Sequence, residues 1–215
     1  MKPAIVAIAL LAFMPTTLRG QQPTPVAKVH KDPFHWLVEG TQELSGDNRV
    51  GVTTALAPDQ RTSLIEAIFA LLRPGKKIGD ANSEKKLMEL VANVRVKIVD
   101  LNGDGVPDVI AQASDDMFCS PTGNCTIWVF MRSNQGYRLI LERNAVQTFA
   151  IRPTRTNGFN DLVLRQHGSA FESGLFFYRY INGQYRQQAC YNASWERLVG
   201  DEWQELKKPV ITPCE

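Results

Sequence analysis

The sequence predicts an α+β domain, with two short N-terminal helices packed on an antiparallel β-meander of about eight strands. Three observations predict it. Apolar residues recur at helical spacing up to about residue 93; from Val94 onward the apolar period drops to two; and glycine-bearing turns separate the later runs.

The first segment stands outside that domain. Met1 and Lys2 precede an apolar run from Ala4 to Met14, a Pro15 break and a polar exit through Arg19, Gly20 and Gln21, the pattern of a secretory signal over residues 1–20. The run is too short to span a bilayer. Residues 21–33, rich in Gln, Pro and Thr, are expected to form a flexible leader.

Residues 34–93 are expected to be the helical N-terminal part of the domain. Pro58 to Leu72 reads as one helix: Pro and Asp occupy the first turn, Leu64, Ile65, Ile68, Phe69 and Leu72 share a face, and Arg73-Pro74-Gly75 stops it. Ser83 to Ala92 reads as a second, with Ser83 as its cap and Leu87, Leu90 and Val91 as its stripe. Met88 there is assigned to packing.

Residues 94–190 form the predicted meander. Its runs are Val94 to Val99, Val106 to Gln112, Thr126 to Met131, Tyr137 to Leu141, Val146 to Ile151, Asp161 to Arg165, Leu175 to Ile181 and Tyr185 to Gln188. Turns such as Asn134-Gln135-Gly136, Thr156-Asn157-Gly158 and Asn182-Gly183 indicate hairpins. The series repeats: strand, tight turn, Asp-led strand, loop, aromatic strand, Gly turn and Tyr-Arg strand occur once from Val96 and again from Phe149, giving two four-stranded units. Gly158 aligns with Gly105 and Asp161 with Asp108. Pro153, Arg155 and Asn157 stand where the first unit has Asp100, Asn102 and Asp104.

Lys2 and Arg19 account for the whole formal excess of +2, so the remainder is neutral and has no field to draw it to nucleic acid or an anionic membrane. The pairs Lys76-Lys77, Lys85-Lys86 and Lys207-Lys208 are scattered and read as solvated surface. Four cysteines in an exported chain favour two disulfides. Three pairings are open; the turn composition of Ser-Pro-Thr-Gly-Asn brings Cys119 to Cys125 and leaves Cys190 for Cys214, pinning a C-terminal tail over 191–215. Zinc is the competing reading, but His30, His35 and His167 do not lie at ligand spacing from a cysteine pair.

The chemistry concentrates in Asp-Leu-Asn-Gly-Asp-Gly-Val-Pro-Asp, residues 100–108. Alternating oxygen side chains in a tight loop converge on one point, and hard dications require six to eight oxygens. Asp100, Asn102, Asp104, the Val106 carbonyl and Asp108 are the candidate ligands, with Gly105 permitting the turn. An EF-hand would require a glutamate where Ala111 stands, and helices where strands are predicted. The alternative is a metal-free turn in which the same side chains accept backbone N–H groups.

This Asp-x-Asn-x-Asp-Gly-x-x-Asp loop between two strands resembles the calcium loop of FG-GAP repeats, found in integrin alpha-chain propellers and in bacterial secreted proteins. The resemblance covers about twenty residues closely and Val94 to Gln188 through the repeat. It implies a structural Ca2+ in a β-hairpin, held by Asp100, Asn102, Asp104, Val106 and Asp108. The Phe-Gly and Gly-Ala-Pro motifs that name the family are absent, and two units are too few to close a propeller. With Asn in the second ligand position and no bidentate acid at the end, binding near ~1 mM is expected.

Signs of catalysis are sparse. There is no Gly-x-Ser-x-Gly, and the segment His167-Gly168-Ser169 with Glu172 and Ser173 reads as a polar loop. His35-Trp36 is assigned to packing. Asp115, Asp116, Glu142 and Glu172 are the acids that a glycosidase would need to bring together. Trp128, Phe130, Phe176, Phe177, Tyr178, Tyr180, Trp195 and Trp203 suggest either a carbohydrate or peptide surface or core packing, the commoner use. The function expected is an exported, non-enzymatic, calcium-stabilised recognition or structural module, secreted or periplasmic, with a protein or glycan partner at the cell envelope. A secreted hydrolase and a periplasmic enzyme inhibitor are the alternatives.

Overall fold

The computed structural model describes residues 33–73 and 81–214. The signal, nearly all of the leader and Lys76-Lys77 lie outside the described residues. In chain order the described elements are α1 (Pro33–Leu37), α2 (Pro58–Leu72), α3 (Ala81–Ala92), β1 (Arg95–Val99), β2 (Asp108–Gln112), β3 (Cys125–Ser133), β4 (Gly136–Val146), β5 (Thr148–Thr156), β6 (Phe159–His167), β7 (Glu172–Ile181), β8 (Gln184–Val199) and β9 (Glu202–Pro213). The fold is mostly β, which overturns the α+β expectation.

The strands also do not form one meander. They form two antiparallel sheets, four-stranded β1-β2-β3-β4 and five-stranded β5-β6-β7-β8-β9. The break falls at Gln147, where the chain leaves β4 and crosses to the second sheet; the Gln147 amide already bonds the Arg165 carbonyl of β6. The physical reason is coverage. A single eight-stranded sheet would leave a wide apolar face bare, whereas two stacked sheets bury their inner faces on each other.

That inner layer holds Ile110, Ile127, Val129 and Ile140 from the first sheet, with Leu101 from the segment after β1, against Phe149, Leu162, Leu164, Tyr178 and Tyr185 from the second. Helices cover the outer faces. Leu64 and Ile68 of α2 and Val91 of α3 pack on Val96, Val109, Trp128 and Phe130, while Leu37 and Val38 at α1 pack on Ala150, Val163 and Phe177. Because both faces of the first sheet are covered, every residue of β2 is buried, and its run Val109-Ile110-Ala111 is continuously apolar instead of alternating.

Helix α2 has the bounds the sequence predicts, with Pro58 in the first turn and the Gln60 side chain capping the Ala57 amide at 3.1 Å. Helix α3 begins at Ala81, so Ser83 lies within it and is not its cap. Two elements were not expected. Helix α1 is five residues long, too short to show a period. Strand β9 is an edge strand whose Glu202, Glu205, Lys207, Lys208 and Pro209 break the apolar alternation; charge and proline of this kind keep an open edge from pairing with another chain. The expected tail over 191–215 therefore contains the end of β8 and the whole of β9. Disulfides join Cys119 to Cys125 and Cys190 to Cys214.

Candidate metal centre

The loop 100–107 joins β1 to β2, and the last rung of that ladder pairs Val99 with Asp108. The turn closes on its own side chains. Asp100 accepts the Gly103 amide at 2.6 Å through Oδ1 and the Gly105 amide at 2.9 Å through Oδ2. Asn102 Oδ1 accepts the Asp104 amide at 3.0 Å, its Nδ2 donates to Asp104 Oδ2 at 2.8 Å, and Asp104 Oδ1 accepts the Val106 amide at 2.7 Å. Gly103 and Gly105 both take positive φ, +77° and +79°, which a β-carbon would resist.

Asp108 is placed differently. It is 1% exposed, with Oδ2 on the Leu101 amide at 3.1 Å and Oδ1 on the Arg132 amide of β3 at 3.0 Å. Burial pushes its carboxyl up to about 6, opposed by those two amides and reinforced by the charges of Asp104 and Asp100. No Lys, Arg or His nitrogen stands within ion-pair distance of it among the described residues. Asp100 shifts the other way, the Gly105 amide being the largest cause that holds it below the usual range.

The equivalent turn of the second sheet makes a useful contrast. Asp161 accepts the hydroxyls of Thr156 at 2.8 Å and Thr154 at 2.7 Å. Two neutral donors serve one acid there, and no further carboxylate lies in the turn. The two turns also touch. The Asn160 amide donates to the Leu101 carbonyl at 2.8 Å, and Arg155 Nη1 donates to the carbonyls of Asn102 at 3.1 Å and Gly158 at 3.4 Å.

In donor chemistry the loop fits a hard dication: Asp100 and Asp104 bring four carboxylate oxygens and Asn102 an amide oxygen, and each bonded carboxylate oxygen keeps a second lone pair. A calcium ion held there would supply charge neutralisation. In side-chain placement the loop is an Asx-bonded turn. Among the described residues no three His, Cys, Asp or Glu side chains gather as a metal-holding group. Asp108 lies inward, on amides, away from the exposed trio.

The other expected residues are dispersed. Both backbone groups of His167 bond the Asn124 side chain, and the Gly168 amide reaches the Glu172 carbonyl at 3.0 Å across the β6–β7 turn. Glu142 accepts Trp128 Nε1 at 3.3 Å on the first sheet, and Asp115 accepts the Met117 amide. His35 pairs with Glu39 one turn along. Trp128, Phe130, Phe177, Tyr178 and Tyr180 are core residues, Phe176 and Trp195 pack against it, and Trp203 alone of the eight is openly exposed. Sequence reasoning did not single out Arg155 or Arg132 as supports of the loop. Both act through contacts distant in sequence, and no local pattern encodes these.

No protein-family model, curated protein or solved structure matches the chain. Fold and loop together define a class: a disulfide-bonded protein of two stacked sheets with an acidic strand-to-strand turn. The likeness to FG-GAP calcium loops rests on residues 100–108 themselves. No helix among the described residues is long and apolar enough to cross a membrane.

Proposed function

We propose that the protein is an exported, non-enzymatic module of the cell envelope or extracellular space, a recognition or structural unit whose β1–β2 turn is stabilised by Ca2+. The observation that carries this reading is Asp108: a buried carboxylate without a cationic partner among the described residues, lying in the field of Asp100 and Asp104. A buried charge of that kind is costly unless compensated, and a dication shared by the exposed oxygens compensates all three acids at once. The two disulfides support an oxidising compartment. The ion acts as a brace for a binding scaffold, and a protein or glycan at the envelope is the partner.

The test is a thermal melt of the full chain in calcium and in chelator. At ~10 mM calcium and a dissociation constant near ~1 mM, mass action adds roughly 1.4 kcal/mol, or a rise of about 3–5 °C for a domain of this size. The same rise in magnesium alone, or no rise in calcium, refutes the calcium brace.

A further inference from the structure

A second site lies at the other end of β1, independent of the calcium reading. Segment 48–50 adds a short rung to β1: the Val96 amide donates to the Asn48 carbonyl at 2.8 Å and the Val50 amide to the Val94 carbonyl at 2.9 Å. In that register Arg49 stands directly opposite Arg95. Directly opposed side chains of an antiparallel ladder leave the sheet on the same face, and like charges there repel.

Neither arginine has a carboxylate within ion-pair distance among the described residues. Arg49 donates from Nε to the Gly46 carbonyl at 2.9 Å and from Nη1 to Asn93 Oδ1 at 3.1 Å. Arg95 Nη2 donates to the Ala113 carbonyl at 3.3 Å and lies 3.8 Å from Cys125 Sγ, while its buried Nε has no acceptor among the described residues. Two guanidinium groups thus leave the sheet on the same face, each held by neutral acceptors, with donors left over. They line a cleft of about 490 Å³ together with the Cys119–Cys125 disulfide, Glu43 and Asp115. That volume is within the range of small-molecule sites.

A pair of fixed guanidinium forks matches an oxyanion in geometry and charge. The two acids of the same cleft disfavour a bare anion and favour a molecule that also brings hydrogen-bond donors. We propose that the cleft binds a small polyhydroxylated oxyanion, a sugar acid or sugar phosphate. Its carboxylate or phosphate sits between Arg49 and Arg95, and its hydroxyls face Glu43 and Asp115.

The test is an amide chemical-shift titration of the full chain in chelator with sodium glucuronate, glucose 6-phosphate and, as neutral control, glucose. Saturable shifts at Arg49, Arg95, Ser114 and Gly123 with either acid, and none with glucose, are expected; which acid saturates assigns carboxylate or phosphate. Arg49→Gln, an exposed change, is expected to keep the melting temperature and to weaken binding by about tenfold or more, the loss of one charge-assisted fork. Arg95→Lys keeps the charge but not the fork, and is expected to weaken binding as well. The proposal is overturned if neither acid saturates up to about 50 mM, a weakness below any specific fork recognition, if glucose binds equally, or if Arg49→Gln binds as the parent does.

Discussion

Asp108 and Arg132 meet across two strands: the carboxylate that opens β2 accepts the backbone amide of Arg132 in β3 at 3.0 Å, while its other oxygen holds Leu101 at the far side of the loop. One side chain therefore fixes both the turn before its strand and the neighbour beside it. Asp108→Asn replaces one of the two acceptors with an NH2 group facing an amide donor. Leaving that buried donor without an acceptor costs about 1–3 kcal/mol, so a loss of roughly 2 kcal/mol is expected in urea unfolding at about pH 4.5, where the parent carboxyl is protonated in the folded chain and the charge does not enter. A variant as stable as the parent would show that the pair is not a support.

The same group sets a pH dependence. Its folded value of about 6 lies above the ordinary 3.8, so the folded chain binds the proton more tightly than the unfolded one. Its contribution is then fully present below 3.8 and is lost as pH rises through about 6. In chelator, unfolding at pH 4.5 is expected to need more urea than at pH 7, by on the order of 2 kcal/mol from this group. Asp100, held below its ordinary value, acts in the opposite sense only as pH falls below that value. Calcium at pH 7 should remove most of the difference, and stability that rises from pH 4.5 to 7 in chelator would contradict the assignment.

Gly103 combines a φ of +77° with a neighbour: a β-carbon there would lie 2.6 Å from Arg155 Nη1. Gly103→Ala is expected to cost about 1–3 kcal/mol from backbone strain and displacement of the guanidinium. Adding Arg155→Ala should recover the steric part and leave the backbone part. Strict additivity in that double-mutant cycle would deny the contact.

The Cys190–Cys214 bridge closes a segment of 24 residues in sequence separation and ties the end of β9 to β8, where the Cys214 amide also donates to the Cys190 carbonyl at 3.0 Å. Replacing both cysteines by Ser is expected to lower stability by about 3 kcal/mol through the freer unfolded chain. The Cys119–Cys125 bridge, with a separation of 6, should contribute less, about 2 kcal/mol. Denaturant curves of the two double variants check the order.

Much of the strand order was legible because its turns are local. Asn157-Gly158 and Asn182-Gly183 both take the paired positive φ angles of a tight hairpin, which Asn-Gly encodes directly. The repeat put a boundary near Phe149, beside the break between β4 and β5, but that the two units stack as separate layers was not legible. It depends on what covers the far face of Val109 and Ala111 on one side and Val163 on the other, a property of layers and not of any strand. Strand β9 was hidden for the opposite reason, since an exposed edge carries the composition of a loop. In the candidate site, residues 100–108 announced their oxygens by spacing. Which oxygens turn outward and which inward was set by Leu101 and Arg132 amides, and these carry no side-chain signal in the sequence.

The meeting of Arg155 and Asn160 with the carbonyls of Asn102 and Leu101 makes the acidic bend a latch between the two layers. Neither layer can slide on the other while the latch is shut. Heat should therefore dismantle both in one step, and whatever tightens the bend protects the whole sandwich, including the half that carries none of the acids.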